Sequence, residues 1–255
     1  MNLFYLAKTA KGCADQHCDK HLFKMIPETA QMLCTAKAVA DYGGLQVPRE
    51  DVTTEDGRVP EKTYRVTHKH HPCVVAILKS RACWRFAADV GIHLCERYTP
   101  EFGGKVHASE TLIRGLRHVG LACPRPDRKF KQGTVTAIVQ GDDLEPFEIP
   151  LCMPADCLVP AAAGNGFDAC ESYRTYYVRD KASFATWKRS SPPAWWPFGL
   201  ESSREHAVPK TNRGTSKIST WRAKRERIKK LRKVLTTPQV RTDLAACRAQ
   251  AEQPL

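Results

Sequence analysis

Five polar residues near the start of the chain, His17, His21, Lys24, Glu28 and Gln31, recur at steps of 4, 3, 4 and 3. That period belongs to a helix and places all five side chains on one face. Leu22, Phe23, Met25, Ile26, Ala30, Met32 and Leu33, which lie between and just beyond them, are apolar, so the pattern predicts a largely buried helix whose polar face looks into a cleft or an internal network. Imidazole, ammonium and carboxylate groups on one face are the materials of acid-base chemistry. They also suit a buried hydrogen-bond and salt-bridge network joining the first helix to the second. Glu28 follows Pro27 directly. A helix interrupted or kinked at that proline would restart with Glu28 in its first turn, where the helix dipole favours a carboxylate.

The helical pattern runs from about residue 11 to residue 40, after a possible short strand at 2–6. Residues 41–66 hold Gly, Pro and charge without apolar periodicity and read as a loop, open to motion. A second helical region follows the Thr67-His68-Lys69-His70-His71-Pro72 junction, with core-type spacing up to a break at Pro100. Residues 106–119 read as a third helix, 134–139 as a strand, and 170–187 as an aromatic-bearing helix. The expected class is therefore mainly α: a compact helical domain with few short strands over 1–197, a linker over 198–216, and a basic amphipathic helix and tail over 217–255.

A chain of 255 residues that is 42% hydrophobic can bury a substantial core. The opening MNLFYLAKTAKG lacks the charged and apolar regions of an export signal, and no apolar run is long enough to span a bilayer. The expectation is a cytoplasmic protein, of a bacterium or a phage-infected cell, without a membrane partner. The 11 cysteines are scattered, odd in number and free of any C-x2-C pair, which argues for reduced thiols and against a zinc finger. Neither a metal nor any other cofactor is expected. Of the net +13, residues 204–255 carry +10, from 14 Lys/Arg against 4 Asp/Glu. A local positive field of that kind points to a polyanion, nucleic acid before an anionic membrane.

Further candidates follow from residue type. His68, His70 and His71 precede a helix and could contact phosphate, supply an acid or join His17 and His21 at a metal, or form a solvated cap. Among His93, Glu96, Arg97, His107 and Glu110, each is ordinary as a surface or structural residue, and His107 alone is carried as a site candidate. Tyr173, Tyr176, Tyr177 and Trp187 fit an aromatic core, while Trp195 and Trp196 are the best placed to stack on a base. In the tail, Arg222, Lys224, Arg225, Arg227, Lys229, Lys230, Arg232 and Lys233 form an electrostatic surface for a phosphate backbone or a solvated charged helix, with Trp221 as a possible anchor.

Cys18-Asp19-Lys20-His21, Lys24-Met25 and Glu28 to Leu33 together spell CDKHxxKMxxETAQML. With Thr67 to Cys73, Tyr173-Arg174, Tyr176-Tyr177, Lys181 and Trp187, this motif resembles a family of small phage and bacterial proteins, over residues 1–197. A more distant similarity is to the pyrimidine-dimer DNA glycosylase/AP lyase family, carried by Ala14-Asp15-Gln16-His17, the His21 to Glu28 interval and the helix from Pro72 to Tyr98. This second resemblance implies a compact helical enzyme with an N-terminal α-amine as nucleophile and a helix-borne glutamate, here Glu28, beside it. It also implies a base extruded from the duplex, attack at the sugar C1′, a Schiff base and strand cleavage by elimination. An α-amine ordinarily titrates at about 7.7–8.0, so it is available as a nucleophile near neutrality where a lysine is not. Asn2 departs from the small residue that family carries, so Met1 is expected to remain and push the amine outward, leaving Lys20 or Lys24 as substitute amines.

The resulting expectation is a DNA-acting enzyme that excises a damaged or modified pyrimidine, with Glu28 and His21 as the reactive pair, Lys24, His17 and Gln31 in support, and double-stranded DNA as partner. The alternatives are a phage enzyme that modifies a DNA pyrimidine and a nonenzymatic nucleic-acid-binding protein.

Overall fold

The computed structural model describes residues 1–141, 145–162, 164 and 166–198, and the chain divides into two compact units, Met1–Tyr173 and Arg174–Leu255. The fold is mainly helical. The first unit contains α1 (Ala10–Asp15), α2 (Asp19–Asp41), α3 (Pro72–Lys79), α4 (Arg81–Glu101) and α5 (Glu110–Val119), with a hairpin of β1 (Thr136–Val139) and β2 (Phe147–Pro150). A further helix, α6 (Ala169–Tyr176), begins in the first unit and ends in the second.

α4 is the central element and packs against α1, α2, α3 and α5. Gly91 lets this happen: a Cβ there would stand 2.9 Å from Thr29 Cγ2 on α2 and 3.1 Å from Ile113 Cγ2 on α5. The long helices approach each other where side chains would otherwise hold them apart. Trp84, Phe86, Leu22, Ile26, Leu33, Ile77 and Leu78 fill the interior. The hairpin is antiparallel, with Thr136 opposite Pro150 and Val139 opposite Phe147, and it rests on α3 and α4. Ala137 and Val139 face inward while Ile138 is exposed, as the two-residue period of a strand requires.

The first helical stretch breaks at 16–18 and not at Pro27. Thr9 caps α1 by accepting from Gly12 N–H, Gln16 closes it, and Cys18, in an extended conformation, precedes α2. His17 therefore sits in the turn between two helices and lies outside the α2 stripe. The turn is held by Arg97 of α4, whose Nη1 lies 3.0, 3.0 and 2.6 Å from the carbonyl oxygens of Ala14, Asp15 and His17. α2 continues through Pro27 without interruption. The carbonyl this proline leaves unpartnered within the helix, that of Phe23, is on the exposed side of α2, where water can satisfy it.

The second helical region is two helices, because Ser80 is extended and its hydroxyl caps α4 by accepting from Ala82 and Cys83 N–H at 3.1 and 3.3 Å. α4 ends at Glu101, one residue beyond the expected break at Pro100. α5 begins at Glu110, later than the expected 106. Residues 2–6 form no strand: Leu3, Phe4, Tyr5 and Leu6 are consecutively buried, so the segment threads the core with both sides covered. The loop over 41–66 carries a 3-10 turn at Arg49–Asp51 and is tied down by buried Val47, Val52 and Thr54. The aromatic helix stops at Tyr176 and passes into a π-helical turn, Tyr177–Lys181.

Candidate active site

The buried segment 2–6 delivers the start of the chain to α2. Asn2 is its anchor: Nδ2 donates to the Cys152 carbonyl at 3.2 Å, while Oδ1 faces the Tyr173 hydroxyl at 3.0 Å. That hydroxyl divides its single proton between Asn2 and the Pro150 carbonyl, 2.8 Å away. With Asn2 fixed, the Met1 α-amine stands 3.6 Å from Glu28 Oε2, and Lys24 Nζ stands 3.4 Å from Oε1. The carboxylate lies between two cations. The Met1 side chain is only 6% exposed, Glu28 is 18% exposed and Lys24 is 60% exposed. Retention of Met1 thus does not push the amine outward, because Asn2 is built into the core and turns the amine onto α2.

Glu28 occupies the interior of α2, well beyond the first turn. Between residues 20 and 31 of this helix, Lys20, Phe23, Lys24, Pro27, Glu28 and Gln31 form the strip that reaches solvent. Phe23, grouped by its apolarity with the buried positions, is 56% exposed on that strip. Its ring meets His107 edge-on at 6.4 Å between centroids.

His71 completes the surroundings of the amine. It caps α3, its Nδ1 accepting from Cys73 N–H at 3.2 Å, with Pro72 at the first helical position. Burial holds the imidazole below its usual range, and the positive charges of the Met1 amine and His68 add to this against the opposing pull of Glu28. With Nδ1 accepting, the neutral ring carries its proton on Nε2. His70 is exposed and lies with Nδ1 3.1 Å from Arg128 Nη2. His68, in the left-handed region at φ 52°, makes the turn that returns the chain, its carbonyl accepting from His71 N–H at 2.7 Å.

The other end of the polar pattern is differently employed. His17 Nδ1 lies 2.6 Å from the Cys13 carbonyl, which fixes the proton on Nδ1, and burial lowers its pKa to about 4. His21 lies against the Phe4 ring, 4.9 Å between centroids. Positions 21 and 28 are two helical turns apart, a rise of about 10 Å. The structure brings Glu28 to Met1 and Lys24, and leaves His21 with Phe4 and His17.

Cys73 and Cys152 place their Sγ atoms 3.8 Å apart beside Asn2, and Cys73 S–H reaches Asn2 Oδ1 at 3.7 Å. Neither cysteine stood out in sequence, since only the fold brings them together. Their partner Asn2 carried a signal that pointed the wrong way: it was informative as a misfit residue at position 2, and it proves to be a buried anchor. His107 serves its own loop, accepting from Ser109 N–H at 3.1 Å and meeting Tyr98 edge-on at 5.1 Å, and burial lowers its pKa. His93 and Glu96 pair at 2.8 Å, and Glu110 pairs with Arg114 at 2.8 Å.

Within the second unit, Trp195 contacts Tyr177 edge-on at 6.0 Å and lies under the Arg174 guanidinium at 5.8 Å. Trp196 is buried and packs on Trp187 at 4.8 Å and on Phe198 at 5.2 Å, which leaves it poorly placed to stack on a base. The tail residues Arg222, Lys224, Arg225, Arg227, Lys229, Lys230, Arg232 and Lys233, together with Trp221, lie outside the described residues.

Among the described residues no set of three His, Cys, Asp or Glu side chains is gathered around a position for a metal ion, and no helix is long and apolar enough to cross a membrane. No protein-family model, curated protein or solved structure matches the chain.

Proposed function

We propose that the protein is a DNA-acting enzyme of the glycosylase/AP lyase kind, excising a damaged or modified pyrimidine, with the Met1 α-amine as nucleophile and Glu28 as its carboxylate. The observation that supports this reading is the 3.6 Å separation of that amine from Glu28 at a site which still reaches solvent.

In the proposed reaction the unprotonated amine attacks C1′ of an extruded nucleotide, and the bond from C1′ to the base breaks as the base leaves with a proton. Ring opening gives an iminium between Met1 and C1′. Glu28 stabilises the positive charge on C1′ and nitrogen, in a setting sheltered enough for that interaction to exceed its value in water. Removal of a C2′ proton then breaks the C3′–O bond, and water hydrolyses the imine to regenerate the amine. His71 lies near the amine with Nδ1 accepting from Cys73 N–H and the ring proton on Nε2, so in this reading it acts as a hydrogen-bond donor. The basic segment over 204–255 supplies affinity for the phosphate backbone in this reading.

The test is reduction with borohydride in the presence of duplexes carrying an abasic site or a pyrimidine lesion, followed by peptide mapping. The expected result is a covalent protein-DNA adduct on Met1 that is absent from Glu28→Gln. Failure to trap an adduct on any of these duplexes would overturn the proposal, and an adduct mapped to Lys24 would remove Met1 from the role of nucleophile.

A further inference from the structure

Cys73 is the second residue of α3 and wholly buried, whereas Cys152 lies just beyond β2 and is partly open to solvent. Their sulfurs are 3.8 Å apart, and a disulfide at about 2.0 Å requires them to close by about 1.8 Å. Asn2 ties the two cysteines together, donating to the Cys152 carbonyl at 3.2 Å and accepting from Cys73 S–H at 3.7 Å.

The two sulfurs are not equivalent. The single Cys73 proton is shared between Asn2 Oδ1 and Cys152 Sγ, and this bond together with the positive Met1 amine favours the thiolate at Cys152 against partial burial. Cys73, its neighbour in that bond and sealed from water, is held as the thiol. An accessible sulfur that favours the anion, next to an enclosed thiol, is the arrangement of an attacking and a resolving cysteine. Cys34, Cys83 and Cys95 are buried with their thiols pushed up, and the exposed Cys123 supplies an internal reference.

We infer that Cys73 and Cys152 form a hydroperoxide-reactive dithiol next to the Met1 amine. The Cys152 thiolate attacks the terminal peroxide oxygen, the O–O bond breaks, and the departing alkoxide or hydroxide takes a proton. Cys152 is thereby oxidised to a sulfenic acid. The sulfur of Cys73 then attacks it, the S–O bond breaks, and water leaves with the thiol proton. One hydroperoxide and two thiols give one disulfide, one alcohol or water, and one further water. The disulfide removes the Cys73 donor from Asn2 and discharges the anion near Met1, so the modification acts on the amine's surroundings whatever reaction that amine performs.

The experiment uses the reduced full-length protein, limiting hydrogen peroxide, alkylation of the remaining thiols and peptide mapping. A Cys73–Cys152 linked peptide is expected to appear about tenfold faster than modification of Cys123. Cys73→Ala should stop the reaction at a Cys152 sulfenic acid that dimedone captures, and Cys152→Ser, which changes only a partly exposed sulfur, should leave Cys73 reduced. Oxidation of Cys123 ahead of an intact pair, or oxidation of Cys73 at an unchanged rate in Cys152→Ser, overturns the inference. Because the readout is sulfur chemistry without DNA, its outcome is separate from that of the trapping experiment.

Discussion

The turn around His17 and the middle of α2 around Glu28 carry the same kinds of polar side chain, yet one is enclosed and the other meets solvent. At His17 the polar groups are tied into the turn: Nδ1 donates to the Cys13 carbonyl, and the carbonyls of Ala14, Asp15 and His17 accept from Arg97. Arg97 is in turn balanced by Glu101 at 2.6 Å. At Glu28 the partners are two cations on mobile or terminal groups, at 3.4 and 3.6 Å, distances at which a ligand can compete. The lesson is that charge near a helix marks a site only where its partners can be exchanged. Where they are carbonyls of a turn, the same chemistry holds the chain in place.

The comparison is most severely tested by Glu28→Gln, which keeps the shape and removes the charge. If the protein carries out the proposed reaction, its strand cleavage is expected to fall by about 10²–10⁴-fold, the range for loss of an acid-base group, while the melting temperature stays within about 4 °C. Substantial unfolding with turnover per folded molecule unchanged would make Glu28 another His17. Arg97→Ala should do the reverse, lowering stability by about 3 kcal/mol by stripping the partners from three carbonyls and a nearly buried carboxylate. Chemical denaturation measures that loss, and activity per folded molecule should not change.

His17 gives the enclosed end a pH signature. Its imidazole titrates at about 4 when folded against 6.5 as the reference value, so between those values the unfolded chain binds a proton that the folded protein refuses. Stability is therefore complete above the unfolded pKa and declines as pH falls from 6.5 to about 4, by about 3 kcal/mol in all. His17→Gln should flatten this decline in denaturation curves taken across the window, and an equal slope in both proteins would show that His17 is not its source. The smallest effect is expected for Lys24→Met: the pair with Glu28 is largely exposed on the lysine side, so stability should change by only about 0.3–0.5 kcal/mol.

The helical class and the existence of α2 and α5 were legible because apolar side chains recur at a helical period through them. The breaks were less so. Ser80 is a strong capping residue inside an uninterrupted apolar pattern, and periodicity alone carries the helix past it. The turn at 16–18 is stabilised by Arg97, some eighty residues away in sequence, and local propensity contains nothing of that partner. Pro27 suggests an interruption or a kink because proline removes a hydrogen bond. Phe23, whose carbonyl loses its helical donor at Pro27, lies on the exposed side of α2, and the helix continues. At the site, Glu28 and Lys24 were visible from their spacing, whereas the Cys73–Cys152 pair and the direction taken by the Met1 amine depend on closures of the chain that no short motif records.

Asn2 imposes an order on assembly. Its side chain reaches partners at Cys73, Cys152 and Tyr173, so it cannot be seated until those later segments of the first unit are in place. Until then Leu3 to Leu6 are an apolar strand of chain with no groove to occupy, and their docking closes the core late.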